Sequence, residues 1–128
     1  FADHNLTYSA HPRVMPDTLT GLPTKGFNDV KRTADVIMMT EGCQRASGHA
    51  RGGFDSVPGV MTDGVQTELE NIVAGDFSGH NTDGTDANAG WIRWRHHKNF
   101  NTNANFYDGH AASFRIGFIR EKNIKINY

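Results

Sequence analysis

The clearest structural signal is the stretch NANFYDGHAASFRIGF, residues 103–118, in which two runs rich in aromatic and small apolar residues flank an Asp-Gly pair. Asp-Gly between two such runs is a strong short-range signal for a β-hairpin. The sequence therefore predicts strands at Asn103–Tyr107 and Ala112–Phe118, joined by a turn at Asp108 and Gly109.

Outside this hairpin, other short runs predict further strands. Asp35–Thr40 is the most apolar segment of the first half, which is typical of a central strand buried on both faces. Alternating patterns predict a half-exposed strand at Trp91–Arg95 and an edge strand at Lys122–Tyr128, and a short strand is expected at Leu6–Ala10. Helical spacing occurs at Val65–Ala74. We therefore expect a mainly-β fold, or an α+β fold with one short helix, built on a small antiparallel sheet with long irregular loops.

The composition indicates one domain spanning residues 1–128 and excludes two kinds of partner. Thirteen Lys and Arg face 14 Asp and Glu, so there is no basic field to hold a nucleic acid. The longest apolar run, Val36–Met39, is far shorter than the roughly 20 residues of a membrane span. The single cysteine, Cys43, excludes an internal disulfide, and 14 glycines indicate many turns.

Two histidine-containing segments offer a candidate metal site. His96, His97, Asp108 and His110 carry the imidazoles and the carboxylate that zinc binds, and three such ligands with a water would form a hydrolytic centre. Their spacing matches no zinc signature, and adjacent histidines on a strand point to opposite faces. The sequence favours a structural alternative, in which the Asp108 carboxylate accepts backbone N–H bonds within the turn and a histidine bonds to the turn or a neighbouring loop.

An oxygen-rich loop in the middle of the chain is a candidate calcium site. Asp76, Asn81, Asp83 and Asp86 lie among glycines, and calcium takes carboxylate and carbonyl oxygens. Aligned as an EF-hand, the loop lacks its first and last ligands, which leaves an irregular calcium loop or a solvated turn. No other cofactor is expected. Asn5 begins a glycosylation sequon, which would carry a glycan in a secreted protein.

Sequence signatures of catalysis are missing. Ser-Gly-His occurs at 47–49 and again at 78–80, but adjacency in sequence does not make a catalytic triad. The chain has no phosphate-binding glycine loop. We therefore expect a protein that is not an enzyme.

A further pattern joins the hairpin to the segment before it. It comprises Arg95, His96, His97, Asn105, Phe106, Asp108, Gly109 and His110. This pattern resembles the C-terminal box of a bacterial pilin-like (pseudopilin) family, much of it a domain of unknown function, in which nine residues separate the histidine from Asp-Gly. Here ten residues separate His97 from Asp108, so the loop carries a small insertion. Thr7–Ala10 resembles an early strand of that family, and Val36–Gly42 resembles another strand end, with Glu41 where aspartate is usual.

The resemblance implies a β-rich globular domain that follows a hydrophobic prepilin-type helix in a filament or secretion pseudopilus. That helix is absent from residues 1–128, so we expect the globular part alone, or a subunit that assembles through other contacts. The expected function is a structural subunit of an extracellular bacterial filament, on the cell surface, with identical subunits as partners. The candidate assembly strands hold Leu6, Tyr8, Ile124, Ile126 and Tyr128.

Two alternatives remain from the residues. The first is a cell-surface module that binds calcium or carbohydrate, with Trp91, Trp94 and Tyr107 stacking on sugar rings. Aromatic residues packed in a core explain the same residues more simply. The second is a small hydrolase that uses the histidines and Asp108 of the candidate zinc site.

Overall fold

The computed structural model describes residues 8–11, 26–43 and 92–126, and the strands among them form one antiparallel sheet. Its strands lie in sequence order: β1 Tyr8–Ala10, β2 Ile37–Glu41, β3 Asn101–Phe106 and β4 Ala111–Arg115. The helical segments in the described ranges are two short 3-10 turns, Phe27–Asp29 and Glu121–Asn123. The expectation of a mainly-β fold with a small antiparallel sheet is confirmed. None of the helical segments in these ranges is long and apolar enough to cross a membrane.

The predicted hairpin is confirmed as β3 and β4, with Asn103 opposite Ser113 and Asn105 opposite Ala111. Its second strand is shorter than predicted, because β4 ends at Arg115 and residues 116–118 lie beyond it. Gly109 N donates to Phe106 O at 3.0 Å, and Phe106 N donates to His110 O at 2.9 Å. These bonds close a three-residue loop, in which the last position needs a left-handed backbone. Gly109 takes that position with a φ of 92°, so the Asp-Gly signal reflects a conformation that glycine adopts without strain.

The sheet has one covered face and one solvent-facing face, as strand alternation requires. Along β3, Thr102, Ala104 and Phe106 are buried, whereas the asparagines between them, at 101, 103 and 105, lie on the other face and are half-buried or exposed. Strand β4 continues this division, because the side chain of Phe114 packs on the core and that of Ser113 is exposed.

The core lies against the covered face in two clusters. The larger cluster consists of Ile37, Ile92, Trp94, Ala104, Phe106, Ile119 and Ile124. The smaller one consists of Val30, Val36, Tyr107 and Ile126. Both clusters draw on residues that are far apart in sequence, so burial of these side chains ties the hairpin to β2 and to the segment after β4.

Strand β2 is an interior strand between β1 and β3, as predicted, but it begins two residues later than expected. Asp35 N donates to Arg32 O at 2.9 Å, so Asp35 belongs to a turn that precedes the strand. The expectation that both faces are buried was wrong in part, because Met38 and Met39 are only half-buried. A register shift between Ile37 and Met39 accompanies this exposure.

The prediction of a strand at Trp91–Arg95 was wrong for the described part, residues 92–95. Ile92 and His96 form single bridges, to Gly42 and Asn101 respectively, with no strand between them. Buried and less buried side chains do alternate here, because Ile92 and Trp94 are fully buried and their neighbours are not. The segment is extended and lies against the core, so every second side chain is buried although the segment is not a strand.

The predicted edge strand at Lys122–Tyr128 was also wrong across residues 122–126. The chain instead makes the 3-10 turn Glu121–Asn123, and Ile124 and Ile126 are 0% and 2% exposed. The Ile124 carbonyl accepts a hydrogen bond from the His11 ring at 2.8 Å. The apolar residues alternate with polar ones in this segment because every second side chain packs into the core from a loop.

The predictions at Val65–Ala74 and at residues 6 and 7 lie outside the described residues. The same holds for residues 127 and 128.

Candidate functional site

The candidate site is the hairpin and its two histidine-containing ends. At the turn end, Asp108 Oδ1 accepts hydrogen bonds from the backbone N–H of His110 at 3.1 Å and from its Nδ1 at 2.6 Å. The backbone N–H of His110, followed by its side chain, holds the pKa of the Asp108 carboxyl below its ordinary value. This arrangement is the one that the structural alternative predicted for Asp108.

The His110 ring is held from a second side by Phe106. The two rings stack with their centroids 4.1 Å apart and their planes within 7° of parallel. Asp108 N also donates to Thr33 O at 3.1 Å, which attaches the turn to the segment before β2. Asp108 and His110 therefore bond to each other and fix the hairpin turn.

At the other end of β3, His96 pairs with a residue that the sequence analysis did not include in the site. Its Nε2 lies 3.0 Å from Oε1 of Glu41, a side chain that is buried while the imidazole is half-exposed. The same ring nitrogen also lies 2.9 Å from Nδ2 of Asn103, so Glu41, His96 and Asn103 meet at one point. The second carboxylate oxygen accepts bonds from the Thr102 hydroxyl and from Asn103 N, both at 3.3 Å.

A left-handed turn follows His96 and leads into β3. His97, Lys98 and Asn99 have φ values of 46°, 59° and 69°. The carbonyl of His96 accepts hydrogen bonds from the N–H groups of Phe100 and Asn101, which closes the turn. His97 therefore lies in a turn and not in a strand, and its side chain is exposed.

The zinc hypothesis is contradicted by this geometry. His96 lies beside Asn101 and His110 beside Phe106, at opposite ends of β3, which five residue steps extend to about 17 Å. Across residues 8–11, 26–43 and 92–126, no three His, Cys, Asp or Glu side chains converge on a point that could hold a metal ion. The hydrolase that would use this centre has no assembled site among these residues.

The sugar-stacking role is contradicted for two of its three residues. Trp94 is 0% exposed and Tyr107 is 5% exposed, and each packs in one of the two core clusters. Burial also raises the pKa of the Tyr107 phenol. The core interpretation of these aromatic residues is therefore correct.

Other sequence-predicted residues fall into two groups. Tyr8 is exposed on β1 opposite Glu41, whereas Ile124 and Ile126 are core residues and cannot act as an assembly strand. Arg95 lies beside the sheet, with its Nη2 donating to Gly42 O at 2.9 Å. The remaining predicted site residues lie outside the described residues: Asn5, Leu6, Asp76, Asn81, Asp83, Asp86, Trp91 and Tyr128.

Compared with models of protein families, with curated proteins and with solved structures, the chain matches none.

Proposed function

We propose that this chain is the globular part of a structural subunit of an extracellular bacterial filament or pseudopilus, which assembles with identical copies. One observation carries the proposal: three reactive side chains of the pilin-like box, those of His96, Asp108 and His110, bond to one another or to the sheet. His110 bonds to Asp108, and His96 bonds to Glu41. The box therefore builds and anchors a hairpin, which is the role expected of a structural module.

Two of the three stretches that resemble the pilin-like family also meet in space. Glu41 comes from the resembling strand end at Val36–Gly42, and His96 comes from the C-terminal box. The unusual glutamate has a physical role at that position, because its carboxylate reaches His96, Thr102 and the backbone of Asn103. This supports interpreting both stretches as parts of one fold motif.

Charge is compatible with close packing of copies. The formal net charge of −1 gives little long-range repulsion between subunits. The solvent-facing side of β3 carries asparagines rather than charged residues, which lowers the desolvation cost of contact with a neighbour.

Sedimentation velocity and negative-stain electron microscopy test the proposal across a range of protein and salt concentrations. We expect concentration-dependent oligomers and, at the highest concentrations, elongated assemblies. Monomers at every concentration and salt would contradict the proposal. Labelling of intact source cells with an antibody tests the extracellular location, and a signal that appears only after lysis would contradict it.

A second experiment, with added calcium, distinguishes the structural subunit from the alternative of a calcium-binding module. Melting temperature is followed with and without millimolar calcium, because a ligand that binds only the folded state raises it. The structural-subunit proposal expects self-association without added calcium. A protein that stays monomeric but melts at a higher temperature with calcium would favour the binding module.

A further inference from the structure

Among the strands of the described residues, β4 is the last of the sheet, and its outer edge carries backbone groups that face away from β3. The bonds from Phe106 N to His110 O and from Ile116 N to Phe100 O show which residues of the hairpin form hydrogen-bonded pairs. In an antiparallel pair, every second residue bonds inward. Ala112 and Phe114 therefore bond to β3, and the backbone groups of Ala111, Ser113 and Arg115 point outward.

Apart from one charge at its end, this edge lacks the devices that usually protect an open strand. Edge strands are normally interrupted by proline, lysine or a bulge, because unpaired N–H and C=O groups recruit other strands. Strand β4 reads Ala-Ala-Ser-Phe-Arg, and its pairing with β3 runs without a register shift from Asn101 to Asn105. Its one charge is Arg115, at the last position. The side chains at 111, 113 and 115 are all exposed.

We propose that β4 is the assembly edge and that β4 of a second copy pairs with it, antiparallel, about a two-fold axis at Ser113. The proposal rests on the proposed function and names the surface that performs it. A two-fold axis at this residue places Ser113 opposite its own copy, and Ala111 opposite Arg115 of the other copy. All of these residues have outward-facing backbone groups, so the register makes them hydrogen-bonded pairs.

The hydrogen bonds of this pairing can be assigned. The Ser113 pair exchanges two N–H···O bonds, one in each direction. The N–H of Arg115 donates to the Ala111 carbonyl of the other copy, and the two-fold axis repeats this bond. The Arg115 carbonyl already accepts from Phe118 N at 3.1 Å within the chain, so it adds none.

When two copies of β4 pair antiparallel, the side chains that lie opposite each other are complementary in size. On the solvent-facing side, Ser113 meets Ser113, and the long Arg115 lies over the small Ala111. On the core side, Phe114 lies over Ala112, and both are half-buried residues that already pack against the larger core cluster. Large residues therefore meet small ones at each position, and pairing extends the core across the junction of the two sheets.

Charge does not oppose the pairing. The two Arg115 side chains lie four residue steps apart along the paired strands, about 13 Å. This exceeds the Debye length of about 10 Å at 0.1 M salt. A five-residue strand buries little area, so this contact alone is a weak one that depends on protein concentration.

Amide hydrogen exchange, measured on the whole chain, tests directly whether β4 pairs with β4 of a second copy. We expect the N–H groups of Ser113 and Arg115 to exchange fast in dilute protein and to slow at least about tenfold in concentrated protein. The N–H groups of Ala112 and Phe114 are the internal control, because they bond to β3 at every concentration. If the exchange of Ser113 and Arg115 is unchanged when the protein self-associates, the proposal is overturned.

The variant Ser113→Lys places two like charges opposite each other across the two-fold axis. Like charges that are forced together in an interface cost several kcal/mol, so the dimer dissociation constant should rise about a hundredfold. Asn28→Lys adds the same charge on an exposed turn outside the sheet and should leave the constant unchanged. Circular dichroism and the protection of the Ala112 and Phe114 amides establish that both variants fold.

A second variant covers the case in which Ser113→Lys does not fold. Ser113→Cys brings two thiols into Cα range of a disulfide, about 5.5 Å apart. We expect a disulfide-linked dimer on oxidation, while Asn28→Cys stays monomeric and the buried Cys43 stays free. Absence of this dimer, or assembly of folded Ser113→Lys at wild-type concentrations, would overturn β4 pairing and leave the structural-subunit function standing. A wild-type protein that never self-associates would overturn both.

Discussion

Oε1 of Glu41 lies 3.0 Å from Nε2 of His96, although the two residues are 55 positions apart in sequence. The pair links the end of β2 to the residue that opens the left-handed turn before β3. Because Glu41 also accepts bonds from Thr102 and Asn103, one buried carboxylate holds the turn and the first half of β3 in place.

The variant Glu41→Ala should lower the free energy of unfolding by about 2 kcal/mol. It removes the acceptor of the Asn103 N–H, and a donor that is left without a partner costs about 1–3 kcal/mol. The buried Thr102 hydroxyl also loses a partner but keeps the Thr40 hydroxyl at 3.3 Å. Urea denaturation followed by circular dichroism measures the change.

The matched variant His96→Ala should cost less, about 1 kcal/mol or below, because the imidazole is half-exposed and polar contacts that are open to solvent contribute little. The double variant then gives the coupling energy between the two side chains. A loss for Glu41→Ala within about 0.5 kcal/mol, the range of an ordinary surface substitution, would show that the carboxylate does not organise this end of the sheet.

The variant Asp108→Asn should change how stability depends on pH. The fold lowers the pKa of Asp108 from 3.8, so the ionised group stabilises the protein above about that pH. This contribution disappears as the pH falls through the lower folded value. The difference in melting temperature between wild type and variant should therefore be largest above pH 3.8 and should shrink on further acidification. A difference that stays constant over this range would contradict the role of the His110 contacts.

The hairpin could be predicted from sequence because its determinants are local. Asp108 and Gly109 lie between the two strands they join, and the turn requires only the left-handed conformation of Gly109 and an acceptor beside it. The pairing of Glu41 with His96 could not be predicted in this way, since no local pattern indicates which side chains meet when they are 55 positions apart. The available signal was an acidic residue directly after an apolar run.

The two wrong strand predictions have one physical cause. An alternation of apolar and polar residues is typical of a strand, but an extended loop that lies on a core shows it too. Ile92 and Trp94 alternate in this way, as do Ile124 and Ile126, and all four are buried. What separates the two cases is pairing with a neighbouring strand, which depends on the rest of the fold.

The variant Lys98→Gly should raise the free energy of unfolding by about 0.5–1 kcal/mol. Lys98 has a φ of 59° between two further left-handed residues, and this conformation costs an L-residue other than glycine about 1–2 kcal/mol. The greater freedom of glycine in the unfolded chain offsets part of the gain. Asn105→Gly, at an exposed position on β3, is the control and should lower stability. Equal losses in both variants would show that the turn stores no strain at Lys98.

The variant Ile124→Ala distinguishes a core residue from an assembly residue. Ile124 is 0% exposed within the larger core cluster, and truncation of a buried isoleucine to alanine costs about 2–5 kcal/mol. Urea denaturation should show this loss, while the self-association of the protein that remains folded should match that of wild type. An exposed edge strand would give the opposite result, with stability unchanged within about 0.5 kcal/mol and self-association weakened. The comparison with Ser113→Lys, which should weaken association without this loss of stability, places the assembly contact on β4 and not on the segment after it.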